Sequence, residues 1–328
     1  MRSFNARRAP RRRAMQRPQR GIALIMVLWL TVLLAVIGSS FAYSMRGEAL
    51  AARNTMSLAQ ARAAADGAAE RMAYELSRAR VSVDAWAPDG QPHSWNEGDV
   101  ALTARAYDES SRIDLNAASD ALLKGMLQNV GGQDAETAQR TLDAILDWRD
   151  ADELKHANGA EAPDYQAAGS KYLPTNAPFE SVGELQRVLG VDAALMGRVA
   201  PLLTVYSRQQ GINLKTAARD VLLALPGVTP EQVDAFITAR ADALSSKLPV
   251  PPFPQGQAFA SAGVLVWRIH VVARTSDGVT FARDAVVRLS NDPRRPVVTL
   301  LWKEGASETT PEASASGKPA QDNGTGKP

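Results

Sequence analysis

Between Asp147 and Asp164 the chain gathers carboxylates: Asp147, Asp150, Asp152 and Glu153 fall within seven residues, and Glu161 and Asp164 follow within the next eleven. Like charges this close repel, so folding them together calls for a counter-ion. The chain has no Cys, which removes thiolate metal sites and disulfides. Read as an all-oxygen set, these residues suit a hard cation. Ca²⁺, with roughly six to eight oxygen ligands, accommodates several carboxylates and carbonyls. The spacing is not that of an EF-hand, and Gly159 and Pro163 place the acids on a loop. On the residues alone, a solvated acidic loop stands beside the metal site as an equal reading.

Other chemistry is harder to find. The three histidines, His93, His156 and His270, lack zinc-ligand spacing, and no Gly-x-Ser-x-Gly or Cys nucleophile accompanies them. The acids lie in one short loop rather than on two elements flanking a cleft, which argues against a glycosidase pair. No Gly-rich phosphate loop occurs. The composition points away from an enzyme. A nucleic-acid reading rests on Pro226-Gly227-Val228 between two helical segments, the turn of a helix-hairpin-helix, whose backbone amides can hold a phosphate. Lys215, Arg219 and Arg240 are dispersed there among Asp220, Glu231, Asp234 and Asp242, so the basic cluster of a phosphate site is missing. The segment also echoes an earlier one: Ser111-Arg-Ile-Asp-Leu-Asn-Ala-Ala-Ser matches Gln210-Gly-Ile-Asn-Leu-Lys-Thr-Ala-Ala at a fixed offset.

The elements that must hold the acidic loop are helices. Spacing and caps predict helices over 118–128, 134–148, 181–189, 192–203, 217–225 and 230–240, with Ser181 and Glu184 as a capping box. Strand patterns bracket this block. Val100–Tyr107 precedes it, and 264–274, 279–290 and 297–303 follow a Pro-rich linker at 247–254, with Ser276-Asp277-Gly278 as a hairpin turn. The expected fold class is α+β: a long N-terminal transmembrane helix and an α/β domain interrupted by an inserted all-α domain. The expected boundaries are a leader at 1–21, a span at 22–45, a first α/β part at 46–112, the insert at 113–246, C-terminal strands at 247–303 and a disordered tail at 304–328.

Eight arginines and no acid precede Gly21, and residues 22–45 carry no charge. At about 1.5 Å per residue such a helix crosses about 30 Å of hydrocarbon with some tilt. Arginines on one side put the N-terminus in the cytoplasm and the rest outside. A helical pattern continues from Glu48 to Arg80, broken in propensity only by Gly67. The total charge of +2 includes those eight arginines, so the chain from Gly21 onward sums to −6, a poor electrostatic match for nucleic acid.

A basic leader, Gly21, then an uninterrupted apolar helix resembles type IV prepilins and type II secretion pseudopilins, cut between Gly21 and Ile22 and N-methylated at the new terminus. Most of these carry Glu five residues after the cut, thought to meet the N-terminal amine of a neighbouring subunit; here Met26 takes that place. A carboxylate in hydrocarbon is costly unless paired. A subunit without it has nothing to pair with a subunit above, which suits a filament tip. Leu-Asp-Trp-x-Asp-x-Asp, Gly-Ala-Glu, Tyr165 and Tyr172-x-Pro-x-Asn-x-Pro-Phe-x-Ser181 resemble the K-type minor pseudopilins, the general secretion pathway protein K family.

That resemblance implies a pilin-like fold with a large inserted α-domain and Ca²⁺ bound in it. Carried onto matching positions, it names Asp150, Asp152, Glu161 and Asp164 as ligands, with Asp147 anchoring its helix and Glu153 facing solvent. Ala162-Pro163 replaces the acidic run usual after that Glu. The resemblance also implies an inner-membrane anchor with a periplasmic C-terminal domain, processing by prepilin peptidase, and a tip complex with the I- and J-type minor subunits. Trp148 and Phe179 read as core.

Overall fold

The computed structural model describes residues 20–78, 86–290, 292 and 294–306; most of the leader at 1–21 and the tail beyond Ala306 lie outside the described residues. The chain divides into two compact units, Met1–Ser57 and Leu58–Pro328. In the first, the described residues are all helix, the N-terminal part of α1 (Arg20–Arg78). Every large apolar side chain from Ile22 to Met45 is exposed there. A long apolar surface with no protein cover needs lipid or partner helices around it, and this is the one helix among the described residues long and apolar enough to span a membrane.

The second unit is built on a five-stranded antiparallel sheet in the order β1-β2-β5-β6-β7. Its strands are β1 (His93–Glu97), β2 (Val100–Asp108), β5 (Val266–Thr275), β6 (Thr280–Leu289) and β7 (Val297–Glu304). Alternation sorts each strand into two faces. Leu102, Ala104 and Ala106 pair in register with Ala273, Val271 and Ile269 on the face that meets α1. The helix presents Ala61, Ala65, Ala68, Ala69 and Ala73 with Met72 and Leu76, small side chains that let its backbone approach the sheet. Arg71 lies over Trp86 and Trp95, at 5.5 and 4.6 Å from the ring centres, above the β1 edge.

Sequence spacing locates β2, β5, β6 and β7 and gives no strand at β1. Only Trp95 in β1 is strongly apolar, because an edge strand packs one side at most. Gly98, at φ +56°, turns β1 into β2 so that Glu97 pairs with Val100.

Between β2 and β5 the chain leaves the sheet and forms the helical insert with its own core. Its helices are α2 (Asp120–Asn129), α3 (Ala135–Arg149), α4 (Ala162–Ala167), α5 (Ala193–Val199), α6 (Arg219–Leu223) and α7 (Pro230–Ser245). Two expectations are corrected. The segment 181–189 is a 3₁₀ helix, Val182–Arg187, although Glu184 does accept the backbone N–H of Ser181 as a capping box requires. The helix expected over 192–203 stops at Val199, because Pro201 has no N–H to continue the ladder. The short α4 was not foreseen.

The sequence echo is structural. Short strands β3 (Ile113–Asp114) and β4 (Leu203–Thr204) pair in parallel, and Ile212 bridges Ala260 in parallel at the matching place of the second copy. Asp114 Oδ1 accepts from the N–H of Asn116, as Asn213 Oδ1 does from Lys215. The two hairpins, α2–α3 and α6–α7, pack through Gly125: a Cβ there would run into the carbonyl oxygen of Ala224 and sit 3.1 Å from the ring of Pro226.

Buried polar groups pin the insert to the sheet. Asp108 ends β2 and accepts from the backbone and hydroxyl of Ser110, from Asn213 Nδ2 at 2.8 Å and from Thr216 Oγ1 at 3.0 Å. Glu109, fully buried, accepts from Arg268 Nε of β5 at 2.6 Å and from the Thr204 hydroxyl of β4.

Candidate metal centre

The acidic loop hangs between two anchored ends. Helix α3 begins at Asp134, whose carboxylate accepts from the N–H groups of Glu136 and Thr137. It ends with Trp148 fully buried and stacked on Phe179 at 6.1 Å. Helix α4 sets the far end through Tyr165, which is buried beside Trp148, accepts the Leu189 N–H at 3.1 Å, and has its phenol pushed up to about 12 by burial. Helical spacing puts Asp143 and Asp147 on one face of α3, with Asp150 at its C-terminal cap.

Asp147 is the centre of the cluster. It is fully buried, and Oδ1 accepts both the backbone N–H of His156, at 3.0 Å, and the His156 ring. Its other oxygen, Oδ2, is buried with no hydrogen-bond partner. Asp150 Oδ1 and Glu161 Oε1 are buried and unpartnered as well. Three carboxylates thus each aim one unsatisfied oxygen away from water, a cost that native folds offset with a donor or a cation. Burial pushes Asp150 above the usual carboxylate range, and Asp152 and Asp147 push it further. Burial also raises Glu161, with Asp147, Asp150 and Glu153 adding their repulsion. His156 is raised mainly by its hydrogen bond to Asp147. Burial leads the shifts of the two carboxyls, and neighbouring carboxylates add to all three.

Gly159 makes room for the cluster. A Cβ at that position would lie against Asp147 Oδ2, 2.7 Å from its Cγ and 3.1 Å from the carbonyl oxygen of Asp143. Asp143 turns its carboxylate to the loop as well, accepting from the backbone and side-chain N–H groups of Asn158, both at 3.1 Å. The Gly before Ala160-Glu161 is therefore a steric requirement of the site.

The four acids read from sequence are placed differently from one another. Asp150 and Glu161 join the unsatisfied cluster. Asp152 is exposed and accepts the Leu154 N–H at 2.8 Å, which shapes the loop. Asp164 is committed elsewhere: Oδ1 meets Lys155 Nζ at 2.8 Å and Oδ2 accepts the Glu161 N–H at 2.9 Å, and the Lys155 bond holds its carboxyl low. Asp147, expected to anchor its helix, instead carries the most buried oxygen of the set. His156 was not foreseen either; its Nδ1 lies within 4.8 Å of ligand atoms of both Asp147 and Asp150. The available signal was the i, i+3 pair Asp147–Asp150 at a helix end followed by a Gly. The donor set, dominated by carboxylate oxygens, fits Ca²⁺, with Asp147, Asp150 and Glu161 as the residues that would hold it.

In the hairpin that suggested nucleic acid, both arginines and the α7 cap are already engaged. Thr229 and Gln232 cap α7 reciprocally, Arg219 is paired to Asp234 at 2.6 Å, and Arg240 donates to the carbonyls of Leu214 and Ala217. Asn129 ties down the turn by donating to the carbonyls of Leu223 and Leu225.

Comparison with known proteins gives a consistent picture. A family profile described as Type II secretion system, protein K matches residues 101–208, from β2 through the acidic loop to the end of the first copy. Type II secretion system protein K of Klebsiella pneumoniae is 28% identical over 241 residues, covering 67% of this chain and 73% of its own length. The protein of the same name from Pseudomonas aeruginosa is 28% identical over 249 residues, covering 69% and 74%. Among solved structures, a chain of the GspK–GspI–GspJ complex from enterotoxigenic Escherichia coli superposes with a TM-score of 0.59 at 16% identity, over 78% of this chain and 99% of that one.

Proposed function

The chain belongs to the type II secretion system protein K family, and from that premise we propose that it caps the tip of the periplasmic pseudopilus and helps to start its assembly. The observation that carries this reading is an apolar helix left wholly uncovered, with Met26 where most pilin-like subunits have Glu, joined to a sheet interrupted by a helical insert. The helix packs in the inner membrane against the helices of partner pseudopilins. The missing carboxylate leaves no group to pair with a subunit above, and the bulk of the insert opposes addition there. The matching complex names I- and J-type partners, and this chain forms its tip complex with the corresponding subunits. Prepilin peptidase cuts between Gly21 and Ile22. Mass spectrometry of the mature protein tests this: an N-terminus at Ile22, with its methyl group, supports the reading, and cleavage after Ser40 sinks it.

In the insert, Asp147, Asp150 and Glu161 hold one Ca²⁺. Bound there, the ion supplies the positive charge that the three buried oxygens lack, and it fixes a long polar loop that has little core of its own. Carbonyls and water complete its coordination. Addition of Ca²⁺ to the EDTA-treated, detergent-solubilised chain should raise its melting temperature, by the amount that ligand binding to the folded state alone requires. An unchanged melting temperature removes the ion from the reading.

A further inference from the structure

A second polar site lies away from the acidic loop, on the sheet face opposite α1. Tyr107 of β2, Arg268 and His270 of β5 and Asp284 of β6 line a cavity of about 320 Å³, with Arg112 and Ala306 at its rim. Its charges are unevenly spent. His270 and Asp284 are paired at 2.7 Å. Arg268 gives only Nε to Glu109, and Glu109 completes its set with Thr204. The guanidinium of Arg112 has no hydrogen-bond or ion-pair partner among the described residues, although it is only partly exposed and burial pulls its basicity down. Two neighbouring guanidinium groups therefore share one carboxylate, and their remaining N–H donors face open space.

We propose that this cavity is a carboxylate-binding site, in which Arg112 and Arg268 together take one acidic side chain of a second polypeptide. A guanidinium presents paired donors in a plane and matches a carboxylate edge to edge. The charge balance selects the ligand. Arg112 and Arg268 have only Glu109 between them, so these three groups carry one surplus positive charge, which suits a monoanion. A phosphate dianion would bring one negative charge more than that surplus offsets. The site sits where the sheet joins the insert, on a fold pinned by the Glu109–Arg268 and Asp108 contacts, so a partner's acid would meet a preformed receptor.

The test uses the detergent-solubilised full chain and hexaglutamate as the probe, with binding followed by calorimetry. Losing a charge-assisted pair of bonds costs about ten- to a hundredfold in affinity, so Arg112→Ala should weaken binding by that factor and Arg112→Lys should restore part of it. Arg112 makes no hydrogen bond or ion pair among the described residues, and its loss removes repulsion from Arg268 along with attraction to Glu109, so the Ala variant should melt close to the wild-type temperature, which separates loss of binding from loss of fold. A chain ending at Ala306 distinguishes the sources of the carboxylate, since Glu308 and Glu312 follow the cavity rim in sequence. Unchanged affinity in that chain supports an acid supplied in trans. A tenfold gain would show the chain's own tail competing for the cavity and would overturn the second-polypeptide assignment. Binding indifferent to Arg112→Ala, or tighter binding of inorganic phosphate than of hexaglutamate, overturns the proposal as a whole.

Discussion

Gly159→Ala is the sharpest perturbation of the acidic site. Its backbone is ordinary, so the methyl group costs nothing in φ, and the whole effect is steric. The new Cβ would sit 2.7 Å from Asp147 Cγ and 3.1 Å from the Asp143 carbonyl, against about 3.5–4.0 Å for carbon–carbon contact. Asp147 and Asp143 are held on α3, so the loop must retreat by about 1 Å. Overpacking of this kind costs about 1–3 kcal/mol. The retreat also stretches the His156 N–H bond to Asp147 and the two Asn158 bonds to Asp143, each to a charged acceptor worth about 1.5–3 kcal/mol when fully made. Partial loss of these brings the total to about 3–4 kcal/mol. For a unit of this size a kilocalorie is about 2–4 °C, so the melting temperature in EDTA should fall by about 6–15 °C. Because the methyl group occupies the space beside Asp147 Oδ2, the Ca²⁺-dependent rise should vanish as well. Gly197→Ala is the control: its Cβ would meet nothing within 4 Å in helix α5, and Ala there should add up to about 1 kcal/mol. A Gly159→Ala chain that melts within about 2 °C of wild type and keeps its Ca²⁺ response would refute the packing argument and the metal assignment together.

Other outcomes follow from the same geometry. Asp150 and Glu161 have folded-state carboxyls raised above their free values, so their cost to the ion-free fold is absent below the free values and grows as pH climbs through the raised ones. His156 is raised too, and the stability it adds below its free value of 6.5 is lost as pH rises through its folded value. All three act alike: in EDTA, denaturant titrations should show this loop losing stability as pH rises from the free carboxyl values through the free histidine value and beyond, and saturating Ca²⁺ should flatten that slope. A pH profile identical with and without Ca²⁺ counts against the site. Glu109→Leu strands Arg268 at the junction of sheet and insert and should destabilise by about 3–5 kcal/mol, read as a lower urea midpoint. Arg219→Ala, which breaks an exposed pair with Asp234, should change stability by less than about 1 kcal/mol.

The fold was legible where local chemistry and tertiary packing agree. The helices expected over 134–148 and 230–240 form, with Asp134 capping α3 and Thr229 with Gln232 capping α7. Strands β2, β5 and β6 show their alternation because one face meets α1. Legibility failed where an element is defined by its neighbours: β1 exists because β2 offers it an edge, and α4 is a single turn set by Pro163 and the Asp164–Glu161 contact. At the candidate site, charge spacing drew attention to the loop that holds the buried, unpartnered oxygens but could not rank its acids. Burial does that, and burial depends on where the chain returns. The burial of Asp147 depends on Gly159 passing close over it, and nothing in the sequence shows Lys155 folding back onto Asp164.

The two copies of the insert differ at the place where the cation is proposed. Both begin with the same turn, Asp114 or Asn213 holding the following amides, and both close with a parallel bridge, Ile113 to Leu203 and Ile212 to Ala260. In the second copy the return from α7 is brief and Pro-rich, and Phe253 stacks on Phe236 at 4.6 Å to seal it. In the first, the return from α3 is a far longer excursion whose stretch from Asp150 to Asn158 adds no buried side chain, its first contribution to the core coming at Ala160. A long loop without apolar anchors is uncommon in a packed domain and must be fixed by something other than burial. Carboxylates from both ends of that excursion, Asp147 and Asp150 before it and Glu161 after it, each keep one buried oxygen without a partner. An ion binding there would close the loop as the Phe236–Phe253 stack closes its counterpart. Replacing Asp147 with Asn should then leave the second copy folded while the excursion from Asp150 to Glu161 becomes open to proteases, with cleavage that Ca²⁺ no longer suppresses. Cleavage spread evenly over both copies would contradict this division of labour.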